Sequence, residues 1–260
     1  LSVIGFFAVV LFISCFERRW LVLAGFALGL GTYKPSLIAI PAAMMILGGC
    51  WRMFAGLCGS SALLILGSFA TAGVNGFRLW MIRMTVFANI ATTNESIIRR
   101  TKYVDLNSFF SILLGVSFGE RIIATLAAAA AFVLLGWIWW RSRRQRSHEV
   151  QRYLWAATLT WTLMISIYAP VYDTILLIPA AALLGRSLYG RSKHKQAVFQ
   201  LWLIALWLAP WVTQSWADYL RLQILTPVLA GFGYWALTLA RDNSALRVSI
   251  PREDAIRDAA

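Results

Sequence analysis

Long apolar runs, separated by short polar or basic connections, divide the chain at about 1–16, 20–50, 53–74, 119–140, 153–170, 174–190, 197–214 and 222–240. A helix needs about 20 apolar residues to cross the roughly 30 Å hydrocarbon core of a bilayer. The pattern therefore predicts an all-α, polytopic membrane protein, some of whose spans are short. One helical domain covers 1–240, interrupted by a large loop at about 75–118. The polar tail, 241–260, lacks periodic apolar positions and is expected to be poorly ordered.

The stretch 20–50 is too long for one span, because a continuous helix of that length would measure about 46 Å. Arg18 and Arg19 precede it and Arg52 follows it. Basic residues beside apolar runs mark the cytoplasmic side, so both ends read as cytoplasmic. A break at Tyr33-Lys34-Pro35 satisfies both constraints, since Gly29 and Gly31 weaken the helix and the proline disfavours helical geometry at Lys34. Two half-helices are predicted, 21–32 and 35–48, forming a re-entrant pair with Lys34 at its tip. The alternative is one long, tilted and kinked helix whose lysine snorkels. A lysine at bilayer depth costs about 2.5–3.5 kcal/mol on insertion scales, so a cavity or an anionic ligand is expected to hold it.

Charge changes the picture next. Arg141, Arg143, Arg144, Arg146 and Arg152 fill one connection, and Arg186, Arg191, Lys193 and Lys195 fill another two crossings later. The connections 170–173 and 215–221 carry almost no positive charge. The arginine loops are then cytoplasmic, and the loop 75–118 is extracytoplasmic. Within that loop, 76–90 mixes large apolar residues with Arg78 and Arg83, as an interfacial helix does. Asn94, Glu95, Arg99, Arg100, Lys102, Asp105 and Asn107 follow, and the short apolar run after them predicts a partial helix capped by Asp105 or Asn107. Arginines on the outer side run against the topology bias. They invite either phosphate binding or contact with anionic headgroups.

Composition agrees: 60% of residues are hydrophobic and 13% charged, too apolar for a soluble domain. The net charge of +13 is distributed between the apolar runs and marks topology, so no nucleic-acid partner is expected. Cys15, Cys50 and Cys58 lie in or beside apolar runs and imply no disulfide framework. His148 and His194 lack metal-ligand spacing, and no metal is expected. Most of the thirteen tryptophans fall on or near span ends, where interface anchoring is the default. The chain opens at Leu1 directly into an apolar run, so a preceding segment is expected.

The order AGFALGLGTYKPSLIAIPAAMMILGGCWR, a long outer loop and then YAPVYDTILLIPAAALL resembles the family 87 glycosyltransferases, the polyprenyl-phosphate-mannose-dependent alpha-mannosyltransferase group. Lys34, Pro35, Trp51 and Arg52 match its Lys-Pro break and Trp-Arg boundary; Ala169, Pro170, Tyr172 and Asp173 match its later motif, with Ala in place of the usual Ser. The resemblance covers roughly 1–240. It implies a C-type glycosyltransferase helical bundle in a bacterial inner membrane, with an extracytoplasmic active face. It further implies an inverting enzyme that moves a hexose, mannose in this group, from a polyprenyl-phosphate donor to an envelope lipid or glycan acceptor. No cofactor is implied. The general base of the family lies in a first outer loop, which would precede Leu1. Donor-phosphate binding is expected of Lys34, Arg99 and Arg100, and sugar or acceptor binding of Tyr172, Asp173 and Asn107. Asp173 reads equally as the N-cap of a helix starting at Thr174. A transporter or flippase for an anionic or lipid-linked substrate is the competing class, because a broken helix with a midplane lysine also suits a moving anion. A polysaccharide polymerase or ligase would share the basic outer loop but not the Lys-Pro break.

Overall fold

The computed structural model describes residues 2–93, 100–144, 147–166 and 169–248, and these are helical apart from turns and one isolated antiparallel bridge between Tyr103 and Pro170. The helices are α1 (Ser2–Glu17), α2 (Leu21–Gly29), α3 (Pro35–Leu47), α4 (Trp51–Thr93), α5 (Leu106–Leu114), α6 (Phe118–Arg141), α7 (His148–Ile165), α8 (Leu177–Leu188), α9 (Lys193–Leu220) and α10 (Leu225–Val248). Four segments are long and apolar enough to cross a membrane: Trp51–Val86, Phe118–Arg141, Val171–Leu188 and Lys193–Leu220.

The break at Tyr33-Lys34-Pro35 is present. After α2 the chain tightens into a 3-10 turn, Leu30–Tyr33, and Pro35 opens α3 from its first position, where a missing N–H costs nothing. Register decides between the re-entrant pair and the kinked span. Gly25 lies against Met53, Gly29 against Leu57 and Ser60, and Thr32 Oγ1 is 2.7 Å from Ser61 Oγ. Residue numbers rise together, so α2 and α4 run parallel and α3 must come back between them. Gly48, just past α3, meets the Trp139 ring near the end of α6. The chain doubles back here as a helical hairpin instead of running on as one kinked helix, with bounds of 21–29 and 35–47 in place of 21–32 and 35–48.

Small residues make the α2–α4 contact possible. Helices in lipid gain no hydrophobic drive from meeting each other, so close backbone approach supplies the attraction. Gly25 and Gly29, one turn apart, present a flat strip to α4, and Gly56 returns the favour against Val22 and Phe26.

One end of the bundle is basic. There Arg152 donates to Glu17 at 2.6 and 2.7 Å, Arg186 approaches Glu17 at 3.2 Å, Arg191 pairs with Glu149, and the His148 ring stacks on Phe16. The opposite end collects the start of α1, the α2–α3 turn, residues 100–105, Ser166, residues 169–173 and the α9–α10 turn.

Helix α7 runs through the centre, packed by α3, α6, α8 and α10. Trp155 is 1% exposed and stands edge-on to Phe12 and Trp139, with ring centroids 4.8 and 5.1 Å apart. Such pairs add about 0.5–1.5 kcal/mol each beyond burial. The helix also buries Thr158, Thr160 and Thr162. Their hydroxyls return to the carbonyls four residues back, and Thr158 Oγ1 additionally accepts from Trp139 Nε1 at 2.9 Å.

The runs 53–74 and 76–90 join as α4, but Gly73 interrupts it with φ 66° and ψ 176°, values that only glycine adopts readily. Past the break, Arg78 and Arg83 stand among exposed apolar side chains, Leu79, Trp80, Met81, Ile82 and Met84, the mixture expected of an interfacial helix. Spin labels at Met84→Cys and Arg78→Cys, in a background lacking the three native cysteines, should report about 5–10 Å of depth for the first and water contact for the second. Equal accessibility at both positions would reject the interfacial placement.

The tail boundary at 241 is corrected. Helix α10 continues through Arg241 to Val248, where Asn243 Nδ2 bonds the Leu239 carbonyl at 2.9 Å; residues 249–260 lie outside the described set.

Candidate functional site

Lys34 and Asp173, 139 residues apart, form an ion pair at the end of the bundle opposite the arginine loops. Lys34, at the turn between α2 and α3, meets the 3-10 turn Val171–Leu176 that leads into α8. Asp173 is fully buried, while the Lys34 side chain keeps 20% of its surface exposed. The Lys34 ammonium also lies 5.9 Å from the centre of the Tyr172 ring, within reach of a cation–π attraction.

Asp173 does not cap a helix starting at Thr174. It sits inside the 3-10 turn, whose N-cap is Pro170, and its own N–H donates to the Pro170 carbonyl at 2.8 Å. Ser166 Oγ reaches the Ser36 carbonyl at 3.0 Å, a second tie between the α2–α3 turn and the segment leaving α7.

The outer loop is fastened to the same segment. Val104 N–H donates to the Ala169 carbonyl at 2.8 Å, the Asp105 carboxylate accepts from the Ala169 N–H, and Tyr103 bridges Pro170. From the other side, Gln223 donates to the Tyr103 carbonyl, and Thr226 Oγ1 donates to the Val104 carbonyl at 2.9 Å. Residues 103–105 are thus gripped between the α9–α10 turn and the strand-like piece that carries Asp173. Arg100, 8% exposed, opens the turn that runs into this clamp, with its carbonyl accepting from Tyr103 N–H at 3.0 Å. Gln223 and Thr226 have no motif around them, and only a folded structure exposes their role.

Lys34, Arg100, Tyr172 and Asp173 are accordingly drawn into one loop cluster. Arg99, with Asn94 and Glu95, lies outside the described residues. Asn107 stands on the first turn of α5, and its Nδ2 is enclosed with no hydrogen-bond acceptor among the described residues.

The cap on α5 is Asp105, whose Oδ1 accepts from Ser108 N–H at 2.8 Å and Oδ2 from Ser108 Oγ at 3.1 Å. Burial raises its pKa to about 6, against the lowering effect of these hydrogen bonds. Because the folded value lies above the unfolded one, the stability linked to this group is full below about pH 4 and is lost as pH rises through about 6. The loss amounts to about 3 kcal/mol. Asp105→Asn keeps the cap and should flatten stability between pH 4 and 7; thermal unfolding across that range in detergent tests it, and an unchanged slope would reject the assignment. Glu120, 2% exposed, is equally engaged. It accepts from Ser111 Oγ at 2.8 Å, and its N–H is capped by Ser117.

Among the described residues no cluster of His, Cys, Asp or Glu could hold a metal. No protein family, curated protein or solved structure matches the chain. What fold and site define is the class: among the described residues, an all-helical chain with four helices long and apolar enough to cross a membrane, whose most unusual polar cluster lies at the end away from its basic loops.

Proposed function

We propose that this chain is the membrane-embedded part of an inverting glycosyltransferase of the C-type fold, moving a hexose, mannose by the family 87 resemblance, from a polyprenyl-phosphate donor to an envelope lipid or glycan. The carrying observation is Lys34 at the tip of a broken helix pair, partly exposed and gathered with Arg100 and Tyr172 at the end remote from the arginine loops. By the positive-inside rule that end is extracytoplasmic, here of a bacterial inner membrane.

The chemistry follows from the donor. A polyprenyl phosphate presents its head at the membrane boundary, and its phosphate gains negative charge as the glycosidic bond breaks. Cations fixed at that position favour the transition state over the ground state. Asp173 holds the Lys34 ammonium in place, and the positive charge fixed there acts on the phosphate. Arg100 supplies a second, planar set of donors suited to phosphate oxygens. Asn107, at the start of α5, is assigned to a sugar or acceptor hydroxyl. Asp173 is committed to Lys34 and Asp105 to its cap, so neither is assigned as the general base.

The test uses the full chain in lipid nanodiscs, titrated with polyprenyl-phosphate mannose. Arg100→Gln should weaken binding about tenfold or more, as expected for a charge-assisted contact, and Lys34→Cys should react with a membrane-impermeant reagent from the extracytoplasmic side alone. Unchanged affinity would overturn the donor site. Labelling from both sides would favour the transport reading.

A further inference from the structure

We infer that the ring of arginines and tryptophans at the basic end is a binding surface for the headgroups of anionic phospholipids. The inference is independent of the site around Lys34. Three arginines there lie over tryptophan rings: Arg18 over Trp20 at 5.2 Å, Arg141 over Trp137 at 5.6 Å and Arg143 over Trp140 at 5.3 Å. Trp20, Trp137 and Trp140 are each about half exposed, at 51%, 50% and 57%. Rings that anchored the bundle internally would be buried, as Trp139 and Trp155 are at 2% and 1%.

Two carboxylates of this end are already engaged, while Asp242 stands exposed on α10. Glu17 is held by Arg152 and Arg186, and Glu149 by Arg191. Among the described residues neither carboxylate reaches Arg18, Arg19, Arg52 or Arg141, so this concentration of charge calls for external anions. A guanidinium stacked on a ring is oriented and partly desolvated while its N–H edge stays available for two parallel bonds to phosphate oxygens. The anion must also sit at the right depth. Trp137 and Trp140 project from the outer side of α6, whose preceding turn exposes Val133, a face that meets acyl chains. Phosphate attached to a lipid satisfies both conditions.

A rival explanation is internal: Arg141 closes the last turn of α6, where a cation relieves the helix dipole. That account predicts an effect on stability and no preference among headgroups.

The experiment takes the full chain, delipidated in neutral detergent, and counts bound lipid by native mass spectrometry during titration with phosphatidylglycerol or phosphatidylcholine. Phosphatidylglycerol should bind about tenfold more tightly, and the difference should shrink as ionic strength rises. The pair Arg18→Gln/Arg141→Gln, and separately Trp20→Leu/Trp137→Leu, should remove most of that preference while leaving the melting temperature in place. Equal binding of the two lipids by the unaltered chain overturns the inference. So does an arginine pair variant that melts earlier yet keeps the preference. If either variant fails to fold, the headgroup ratio and salt dependence of the unaltered chain decide alone.

Discussion

Lys34→Ala is expected to unfold the protein at markedly lower temperature and to abolish donor binding. Asp173 is fully buried, and removing the cation beside a buried carboxylate costs about 3–5 kcal/mol, because the remaining charge stays desolvated. Asp173→Asn should cost less, since Lys34 is 20% exposed and can recover hydration by a small movement. The double substitution Lys34→Met with Asp173→Leu separates the two roles of the pair. Replacing both charges by packed apolar side chains is often neutral or stabilising, so this variant should melt near the parent while still failing to bind polyprenyl-phosphate mannose. Thermal unfolding and donor titration on the same samples provide the check. Recovered binding in the double variant would show that Lys34 serves the fold alone.

The second large effect is placed on the α2–α4 contact. A side chain at Gly25 would collide with the main chain of Met53, and one at Gly29 with Ser60 and the Leu57 carbonyl. Rigid backbone atoms cannot yield as the end of a flexible side chain does. Gly25→Leu should therefore drive α2 away from α4 at about 3 kcal/mol, the upper end of overpacking costs, and lower the yield of folded protein. Gly59→Ala, on α4 and with nothing within 4 Å of the added methyl, should be neutral or slightly stabilising through helix propensity. The pair is read by monodispersity in detergent and by melting temperature. Similar behaviour of the two variants would mean that the parallel α2–α4 packing is wrong.

Local signals were legible because they act through a few neighbouring residues. Gly29, Gly31 and Pro35 announced the break, the charges at Arg18 and Arg52 announced that both ends of the pair share a side, and Asp105 announced its cap. The pairing of Lys34 with Asp173 was beyond such reading. Each residue had a plausible local fate, as a snorkelling lysine or a helix cap, and only tertiary packing brings the two together. Gln223 and Thr226 are a similar case: their partners are main-chain carbonyls at Tyr103 and Val104, which carry no sequence signature. Helix α7 is different again. Its threonines lower its hydropathy, yet it is the most enclosed helix, because each hydroxyl is satisfied by its own backbone. The end of α10 was misplaced because Arg241 and Asp242 read as a polar boundary, although a helix can carry both on an exposed side.

The separation of Lys34 from Asp173 along the chain also imposes an order on biogenesis. At about 5–20 residues per second, the ribosome makes the 139 residues between them in roughly 7–30 s. During that interval the re-entrant pair already exists as polypeptide while its counter-charge does not. Neither half is long enough to cross alone, at about 20 Å each against a core of about 30 Å, so the nascent loop is expected to wait at the membrane surface or inside the insertion machinery. Pairing with Asp173 is then the event that lets it settle, and ribosomes stalled shortly before Asp173 should leave Lys34 more reactive toward aqueous amine reagents than it is in the finished chain, where Asp173 holds the ammonium and 20% of the side chain stays exposed.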